Sequence, residues 1–494
     1  MKYASWGCGM VVLLVTGLFV ALWLLLAGSV PESYPTVDNP LPPPDPSSAM
    51  GGGLDGFASP YIGHTGSWDG KGGAMFGASK NGDLDIEVAM GLRWTFMCVY
   101  WKEMEPTGPV NLSEGVPSAW KSLDNFVMEA KMRKLNILMQ APVVGGNAGG
   151  PPEWAGRRQS GKSAPKNMEA LVAFAGRLAE RYCPGGTLAT REGWGANYGV
   201  RAWELDNEPE SYLTHWKDQA ADYAEFVTKA AVQIKNNDPH ALILTPASAA
   251  GEHGIDWIRQ SLDAEARHGS PDFRTAGQGY SIGPVTDVVS FHNYEGLDTF
   301  FSGGDLTVTH AFQKVRSVFE SWGNRSPGFE YPRKLDYWHT EGNFDFFGVL
   351  SEKRRAAWRF QFLTRAFAAG IRKVTIMDAK PMEQTAVKNY IRVLPNPFPM
   401  IAATDDLKIL KGKAEAFRHP HSSKPDAGQV WVVWAIADTG DAVVELPWIS
   451  DQATLVTLTG KRTQLNVENN RLQIRLRGDG KMPAPVLVID RTNE

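Results

Sequence analysis

The chain has 494 residues, about three times the length of a typical domain, so it can form more than one core. Its 50 Lys+Arg and 54 Asp+Glu give a formal charge of −4, which excludes a basic surface of the kind that holds nucleic acid through its phosphates. Three cysteines are too few for a disulfide framework.

The N-terminal segment is apolar, and the segment after it is rich in proline and glycine. Residues 10–30 contain no charged side chain and are close to the roughly 20 residues that a membrane-spanning helix requires. We therefore expect residues 1–30 to be a signal anchor, or a signal peptide if the chain is cleaved near the end of this segment. Residues 31–53 are predicted to be a linker. Lys2 precedes the apolar run and acidic residues follow it, which favours an extracytoplasmic, membrane-anchored protein, or a secreted one after cleavage.

Residues 54–411 alternate between short apolar, β-prone runs and longer segments of helical period. This pattern is typical of a parallel sheet covered by helices. The predicted strands are residues 74–79, 93–99, 136–141, 200–206, 241–245, 288–293, 335–340 and 373–377. Eight strand and helix units of this length predict a (β/α)₈ TIM barrel, with a doubly wound sheet as the alternative.

Residues 412–494 have a different pattern, in which short β-rich runs are separated by turn sequences. This predicts a C-terminal β-sandwich as an accessory domain. The chain is thus expected to be an α/β protein with an anchor, a linker, a barrel and a sandwich in that order.

Two glutamates lie where predicted barrel strands end. Glu208 belongs to an Asn-Glu-Pro run after the fourth strand, and Glu341 belongs to a Thr-Glu-Gly run after the seventh. In barrels of this kind the chemistry takes place at the carboxyl ends of the strands. Paired carboxylates there permit glycoside hydrolysis, in which one attacks the anomeric carbon and the other protonates the departing oxygen. The sequence predicts Glu208 and Glu341 as the catalytic pair, and this chemistry needs no metal ion or cofactor.

These motifs resemble the retaining glycosidases of glycoside hydrolase clan A. The Asn207-Glu208-Pro209 run matches the strand-four signature of that clan, and Thr340-Glu341-Gly342 is similar to its strand-seven nucleophile. Residues 91–108 are similar to the second-strand region of family 39 and related polysaccharide hydrolases. The resemblance implies that Glu208 is the acid/base, that Glu341 is the nucleophile and that Asn207 holds the sugar 2-hydroxyl.

Four further side chains are candidates for substrate binding. His292 and Tyr294 lie on one face of the sixth predicted strand, because side chains on a strand alternate with a period of two. In the resembling enzymes an imidazole or aromatic hydroxyl here bonds the nucleophile or the substrate. Trp101 and Trp154 follow the second and third strands, where an indole can stack on a sugar ring or simply pack within a loop.

Three positions depart from the clan pattern. Phe96 is expected where most members have an arginine beside the nucleophile, Asp206 replaces an apolar or aromatic residue, and Met377 ends the eighth strand without the usual tryptophan. These departures set the predicted sugar site apart from the usual clan pattern.

We expect a retaining glycoside hydrolase that acts on a polysaccharide or oligosaccharide through a covalent glycosyl intermediate. Two alternatives stay open at this point. One is a non-catalytic carbohydrate-binding or matrix protein that keeps the barrel, and the other is a transglycosylase that remodels an extracellular polysaccharide.

Overall fold

The structure is a computed structural model, and the predicted anchor (1–30), linker (31–53) and first strand (74–79) lie outside the residues that it describes. Among the described residues, no helix is both long enough and apolar enough to cross a membrane. The described residues are 59–65, 81–144, 150–158, 164–210, 216, 220–263, 280–295, 307–325, 335–342, 351–377, 379–420, 429–436, 440–478 and 482–490.

Eight parallel strands form a closed barrel in chain order. They are β1 (Ser59–Thr65), β2 (Leu92–Tyr100), β3 (Asn136–Val143), β4 (Ala202–Glu204), β5 (Leu242–Ala249), β6 (Val288–His292), β7 (Asp336–Glu341) and β8 (Lys373–Met377). β1 pairs with both β2 and β8, and this pairing closes the barrel. The described residues therefore form the predicted barrel rather than a doubly wound sheet.

The first barrel strand differs from the prediction. Ser59–Thr65 occupies this position, upstream of the predicted residues 74–79, whereas each of the other seven predicted strands overlaps an observed one. Two β-prone runs precede the first helix in the sequence. The run that enters the barrel is the one that pairs with β8, the last barrel strand in the sequence.

Helices follow each barrel strand and cover its outer face. They are α1 (Asn81–Met90), the short α2 (Trp101–Met104), α3 (Ser118–Met132), α4 (Met168–Tyr182), the short α5 (Thr187–Arg191), α6 (Ala220–Asn237), α7 (Glu252–Leu262), α8 (Val308–Arg325), α9 (Glu352–Ala369) and α10 (Pro381–Val393). Local sequence sets several of their ends. The Asn167 side chain accepts from Ala170 N–H at the start of α4, and Gly370 ends α9 in the left-handed conformation at φ +95°.

Two apolar layers hold the barrel together. The larger lies between the strands and the helices, where it includes Trp203 and Phe291 from strands and Phe174 and Trp257 from helices. The smaller fills the barrel interior in the amino-terminal half of the strands. Its buried residues are Trp94, Phe96, Leu138, Ala202, Leu244, Val288 and Trp338. The carboxyl half of the interior is consequently left for polar side chains.

The C-terminal part forms two antiparallel sheets. Their strands are β9 (Ile401–Ala402), β10 (Lys408–Lys411), β11 (Ala414–Pro420), β12 (Gln429–Ala435), β13 (Ala442–Pro447), β14 (Gln452–Thr457), β15 (Arg462–Asn466), β16 (Arg471–Leu476) and β17 (Val486–Ile489). One sheet has the order β10-β13-β16 and the other β15-β14-β17-β12-β11-β9, and a shared apolar core joins them. β9 and β10 precede residue 412, so these sheets begin earlier than the predicted domain boundary.

The six-stranded sheet packs against the barrel helices, since Val432 and Trp434 of β12 belong to the same apolar cluster as the barrel. Arg365 of α9 crosses this contact. Its Nε and Nη2 donate to the two carboxylate oxygens of Glu415 at 3.1 and 2.6 Å, and its guanidinium carbon lies 5.0 Å from the Trp434 ring centre. This arginine thus combines a bidentate ion pair with a cation–π contact.

We expect Arg365→Ala to lower the free energy of unfolding by about 3 kcal/mol, because it leaves the mostly buried Glu415 carboxylate without its partner. Urea unfolding followed by tryptophan fluorescence measures this change. Arg475→Ala is the matched control. It removes a similar pairing with Asp441 that is solvent-exposed and should change unfolding little. Equal effects of the two substitutions would contradict a stabilising role for the Arg365 contact.

Candidate active site

Glu208 and Glu341 reach the same edge of the barrel from β4 and β7. Glu341 is the last residue of β7, and Glu208 lies in the turn just after β4. The Glu208 backbone N–H donates to the carbonyl oxygen of Ala247 in β5 at 2.9 Å. This bond fixes the turn against the neighbouring strand.

The turn after β4 depends on Asp206. Asp206 and Glu208 have φ values of +66° and +39°, a left-handed backbone that side-chain-bearing residues adopt at a cost. The fully buried Asp206 carboxylate accepts from the N–H groups of Asn207 (2.8 Å) and Val144 (3.3 Å) and from the Trp216 indole. The departure from the clan pattern at this position therefore has a structural reason, because a carboxylate here ties the loops after β3 and β4 together.

The two carboxyl groups face each other across a short gap. One carboxylate oxygen of Glu208, one of Glu341 and a ring nitrogen of His292 all lie within 4.8 Å of one another. The side chain of Glu208 is 23% exposed to solvent and that of Glu341 is 17% exposed, so a ligand at the barrel mouth can reach both. The structure thus brings the predicted pair together.

His292 lies between the two carboxylates. A shift in register between β6 and β7 places it opposite Glu341. Its Nδ1 is 3.1 Å from Glu208 Oε1 and 3.9 Å from Glu341 Oε2, and its ring is fully buried. Burial disfavours the charged imidazolium, but the attraction of Glu341 and Glu208 outweighs this and raises the pKa of His292 to about 9. At neutral pH a positive charge therefore lies beside the acidic pair.

Tyr294 contacts Glu341 from the same side. Its hydroxyl donates to Glu341 Oε1, and Met377 Sδ lies 3.5 Å from the same hydroxyl. Burial raises the pKa of the Glu341 carboxyl, whereas His292 and the Tyr294 hydrogen bond act in the opposite direction by stabilising the carboxylate. His292 and Tyr294 thus occupy the common face that the period of two predicts.

Asn207 lies next to Glu208 and is half-buried. Its side-chain oxygen accepts from Gln140 Nε2 at 2.9 Å. The NH₂ group of the Asn207 side chain therefore faces away from Gln140.

The two tryptophans occupy different environments. Trp101 is fully buried, stacks on Phe174 and donates to Glu105 Oε2 at 3.0 Å, so its predicted role as a sugar platform is wrong. The ring packs in the outer layer because α2 begins at Trp101 and turns it toward α4. Trp154 is half-buried and donates to the Glu105 carbonyl oxygen at 2.7 Å. A role for Trp154 in binding sugar stays a prediction.

The expected position of Phe96 is also wrong. Phe96 belongs to the apolar layer inside the barrel and pairs in register with Leu138. Cys98 pairs with Gln140 one level higher. Burial raises the pKa of the Cys98 thiol, and the charge of Glu341 adds to this shift. The pKa of the Tyr100 hydroxyl is raised first by Cys98 and then by burial, with a smaller contribution from Glu341. Phe96 therefore lies one level below the polar part of the barrel interior, at the level of Leu138.

Three polar residues of the site were not predicted as functional from the sequence. Gln140, Glu204 and Glu210 are all buried near the candidate pair. Gln140 interrupts an otherwise apolar strand, and the acidic residues at 204, 206, 208 and 210 alternate along the chain. Such polar positions within apolar runs are the signal that could have identified them.

Glu210 carries a strongly perturbed carboxyl group. Its Oε1 accepts from Ala249 N–H at 2.7 Å. Burial, followed by repulsion from Glu208, raises its pKa to about 8. At pH 7 and below Glu210 is therefore mostly protonated, which reduces the negative charge beside the pair.

Glu208, His292 and Glu341 are also the described residues whose ligand atoms lie close enough together to hold a metal ion. One imidazole nitrogen and two carboxylate oxygens form a donor set that suits zinc or other first-row metals. The same three groups can thus serve either acid/base chemistry or metal binding.

Several solved structures share this fold, although neither protein-family models nor curated protein sequences give a match. A family 39 glycoside hydrolase from the gut symbiont Bacteroides cellulosilyticus aligns at a TM-score of 0.57 and 14% identity, over 88% of this chain and 81% of that one. A β-xylosidase from Caulobacter crescentus aligns at 0.53 and 13%, over 87% and 95%. A family 30 subfamily 8 xylanase from Clostridium acetobutylicum aligns at 0.52 and 12%, over 87% and 96%.

These similarities establish a shared fold. They agree with the resemblance to clan A glycoside hydrolases that the motifs around Glu208 and Glu341 indicate, and family 39 is among the matching structures.

We expect Glu210→Gln to become more stable relative to the wild type as pH rises. Between its ordinary pKa of 4.5 and the folded value of about 8, the folded chain holds a proton that the unfolded chain has lost. The wild type therefore loses stability with rising pH in this window, by about 1.4 kcal/mol for each pH unit, and the glutamine does not.

Urea unfolding at about pH 5 and about pH 8 measures this difference. The exposed glutamate of α7 provides a control, since Glu252→Gln should follow the wild-type pH dependence. Parallel curves for Glu210→Gln and the wild type would show that this carboxyl is not perturbed.

Proposed function

We propose that this protein is a retaining glycosidase in which Glu341 is the nucleophile and Glu208 is the acid/base. The observation that carries the proposal is the short gap between the two carboxylates, whose nearest oxygens are within 4.8 Å. Retaining enzymes have carboxyl groups about 5–5.5 Å apart, whereas inverting enzymes need about 6.5–9.5 Å to admit a water molecule. The spacing favours direct attack by a carboxylate on the sugar.

In the first step a carboxylate oxygen of Glu341 attacks the anomeric carbon, and the bond from that carbon to the leaving oxygen breaks. Glu208 donates its proton to this oxygen, so the leaving group departs as an alcohol. The products are a glycosyl ester on Glu341 and an ionised Glu208. The hydrogen bond from Tyr294 and the nearby His292 stabilise the ionised form of Glu341 that makes the attack, against the opposing effect of burial.

In the second step Glu208 acts as a base. It removes a proton from water, the water oxygen attacks the anomeric carbon from the opposite side, and the bond to Glu341 breaks. Glu208 is protonated again, and the sugar leaves with its original anomeric configuration. His292, within 3.1 Å of Glu208, offsets the negative charge that Glu208 carries between the two steps.

We further propose that the substrate is a polysaccharide or oligosaccharide. The similar structures include a xylanase and a β-xylosidase, both of which act on glycans. In this reading Asn207, beside Glu208 at the mouth of the barrel, holds the hydroxyl next to the anomeric carbon. Met377, which takes the place of a tryptophan, gives the sugar a smaller and more flexible floor.

Substitution of either glutamate should abolish most turnover of an activated aryl glycoside. Glu341→Gln removes the nucleophile and should lower kcat by at least about a thousandfold, and Glu208→Gln should lower it by about a hundredfold or more. Azide should restore activity to Glu341→Gly, with an inverted glycosyl azide as the product. Glu153→Gln, at an exposed position in the one-turn 3-10 helix after β3, serves as the control and should keep wild-type activity.

Proton NMR of the first product formed by the wild type tests the stereochemistry separately. Retention is the expected result. An inverted sugar would contradict the assignment of Glu341 as nucleophile, and full activity of both glutamine variants would refute the proposed pair.

We also propose that the N-terminal segment anchors the enzyme to a membrane, with the barrel on the extracytoplasmic side. The charge-free run of residues 10–30 supports this reading. The full-length protein should stay in the membrane fraction after carbonate washing, and protease added outside the cytoplasmic membrane should digest the barrel. Replacement of residues 1–30 by a cleavable signal peptide should release a soluble protein. Recovery of the wild type in the soluble cytosolic fraction would contradict the anchor.

A further inference from the structure

Gln140 is a buried amide that bonds two site residues at once. It lies on β3 and is only 2% exposed. Its Nε2 donates to Glu204 Oε2 at 2.9 Å and to Asn207 Oδ1 at 2.9 Å. Both N–H bonds of this amide are therefore in use, one toward a carboxylate below the site and one toward a residue that lines it.

The orientation of Gln140 follows from its two contacts. A carboxyl oxygen of Glu204 lies 2.9 Å from Nε2, so Gln140 turns its NH₂ group, not its oxygen, toward this acceptor. The second hydrogen of this NH₂ group then points at Asn207 and selects its oxygen. With Asn207 Oδ1 held by Gln140, the Asn207 NH₂ group must face the other way.

Glu204 is itself held in place. It is fully buried at the end of β4, where burial raises the pKa of its carboxyl and the nearby hydroxyls of Thr340 and Ser290 act in the opposite direction. Thr340 precedes Glu341 on β7, and Ser290 lies two residues before His292 on β6. The carboxyl of Glu204 thus bonds β4 to Gln140 of β3 beneath the candidate pair, in the neighbourhood of β6 and β7.

We propose that Gln140 and Glu204 are positioning residues that fix the Asn207 side chain with its NH₂ group toward the substrate. In this arrangement Asn207 donates a hydrogen bond to the hydroxyl beside the anomeric carbon, and its donor is oriented before the sugar binds. The inference rests on the proposed glycosidase function. It assigns to these two residues a role in recognising one hydroxyl group of the sugar.

A purely structural role for Gln140 makes a different prediction. If the amide served only to satisfy the buried Glu204, its removal would lower stability and would affect all substrates equally. If it orients Asn207, its removal should reduce turnover only for sugars that carry the 2-hydroxyl. The comparison of matched substrates separates the two roles.

The experiment measures kcat/KM of the full chain for an aryl glycoside and for its 2-deoxy counterpart, after subtraction of spontaneous hydrolysis. Gln140→Leu should lower kcat/KM for the 2-hydroxy substrate by about tenfold, because one hydrogen bond in the transition state becomes misaligned. The value for the 2-deoxy substrate should change by less than about threefold. The preference of the enzyme for the 2-hydroxyl therefore falls.

Three further variants strengthen the test. Glu204→Gln keeps the shape of the side chain but lets the amides reorient, so it should shift the preference in the same direction, and it replaces Gln140→Leu if that variant does not fold. Thr95→Val removes a buried hydrogen bond to Glu87 on the helix-facing side of β2 and should leave the preference unchanged. In an Asn207→Ala background, Gln140→Leu should cause no further loss of preference, as expected for residues that act as one unit.

An unchanged preference for the 2-hydroxyl in folded, active Gln140→Leu or Glu204→Gln would overturn this inference and leave the proposed function intact. A further loss of preference from Gln140→Leu in the Asn207→Ala background would overturn it too. Failure of the proposed function would be recognised differently, by wild-type protein that hydrolyses neither substrate or by Glu341→Gln that retains full activity.

Discussion

Two carboxylates within 4.8 Å of each other repel, and the arrangement of the candidate site follows from the need to hold them there. His292 supplies the compensating charge, since its Nδ1 contacts Glu208 and lies 3.9 Å from Glu341. Tyr294 adds a hydrogen bond to Glu341, and the raised pKa of Glu210 reduces the negative charge in the neighbourhood. The pair is therefore held together by its neighbours.

The barrel interior is divided into two levels that serve different purposes. The amino-terminal half is filled by apolar side chains such as Trp94 and Trp338, which supply burial energy. The carboxyl half contains a polar layer that includes Gln140 and Glu204, where each buried polar group needs a partner. A closed barrel makes this layer possible, because side chains from strands that are distant in sequence meet across its axis.

Much of the site was predictable from local pattern. The period of two along β6 placed His292 and Tyr294 on one face, and the strand ends placed Glu208 and Glu341 at one edge. Trp101, Phe96 and the first strand were predicted wrongly. For Phe96 the error is one level along β2, which moves the side chain from the site into the apolar layer, and only the register between β2 and β3 determines that level.

The sequence by itself determined the alternation of strands and helices, the position of the two glutamates at strand ends and the face that His292 and Tyr294 share. These features depend on residue type and spacing within one segment. The tertiary structure alone decided which run closes the barrel beside β8, that Trp101 lies in the outer layer, and that Gln140 bridges Glu204 and Asn207. Those features depend on contacts between segments far apart in the chain, and no local pattern contains the distance between two such segments.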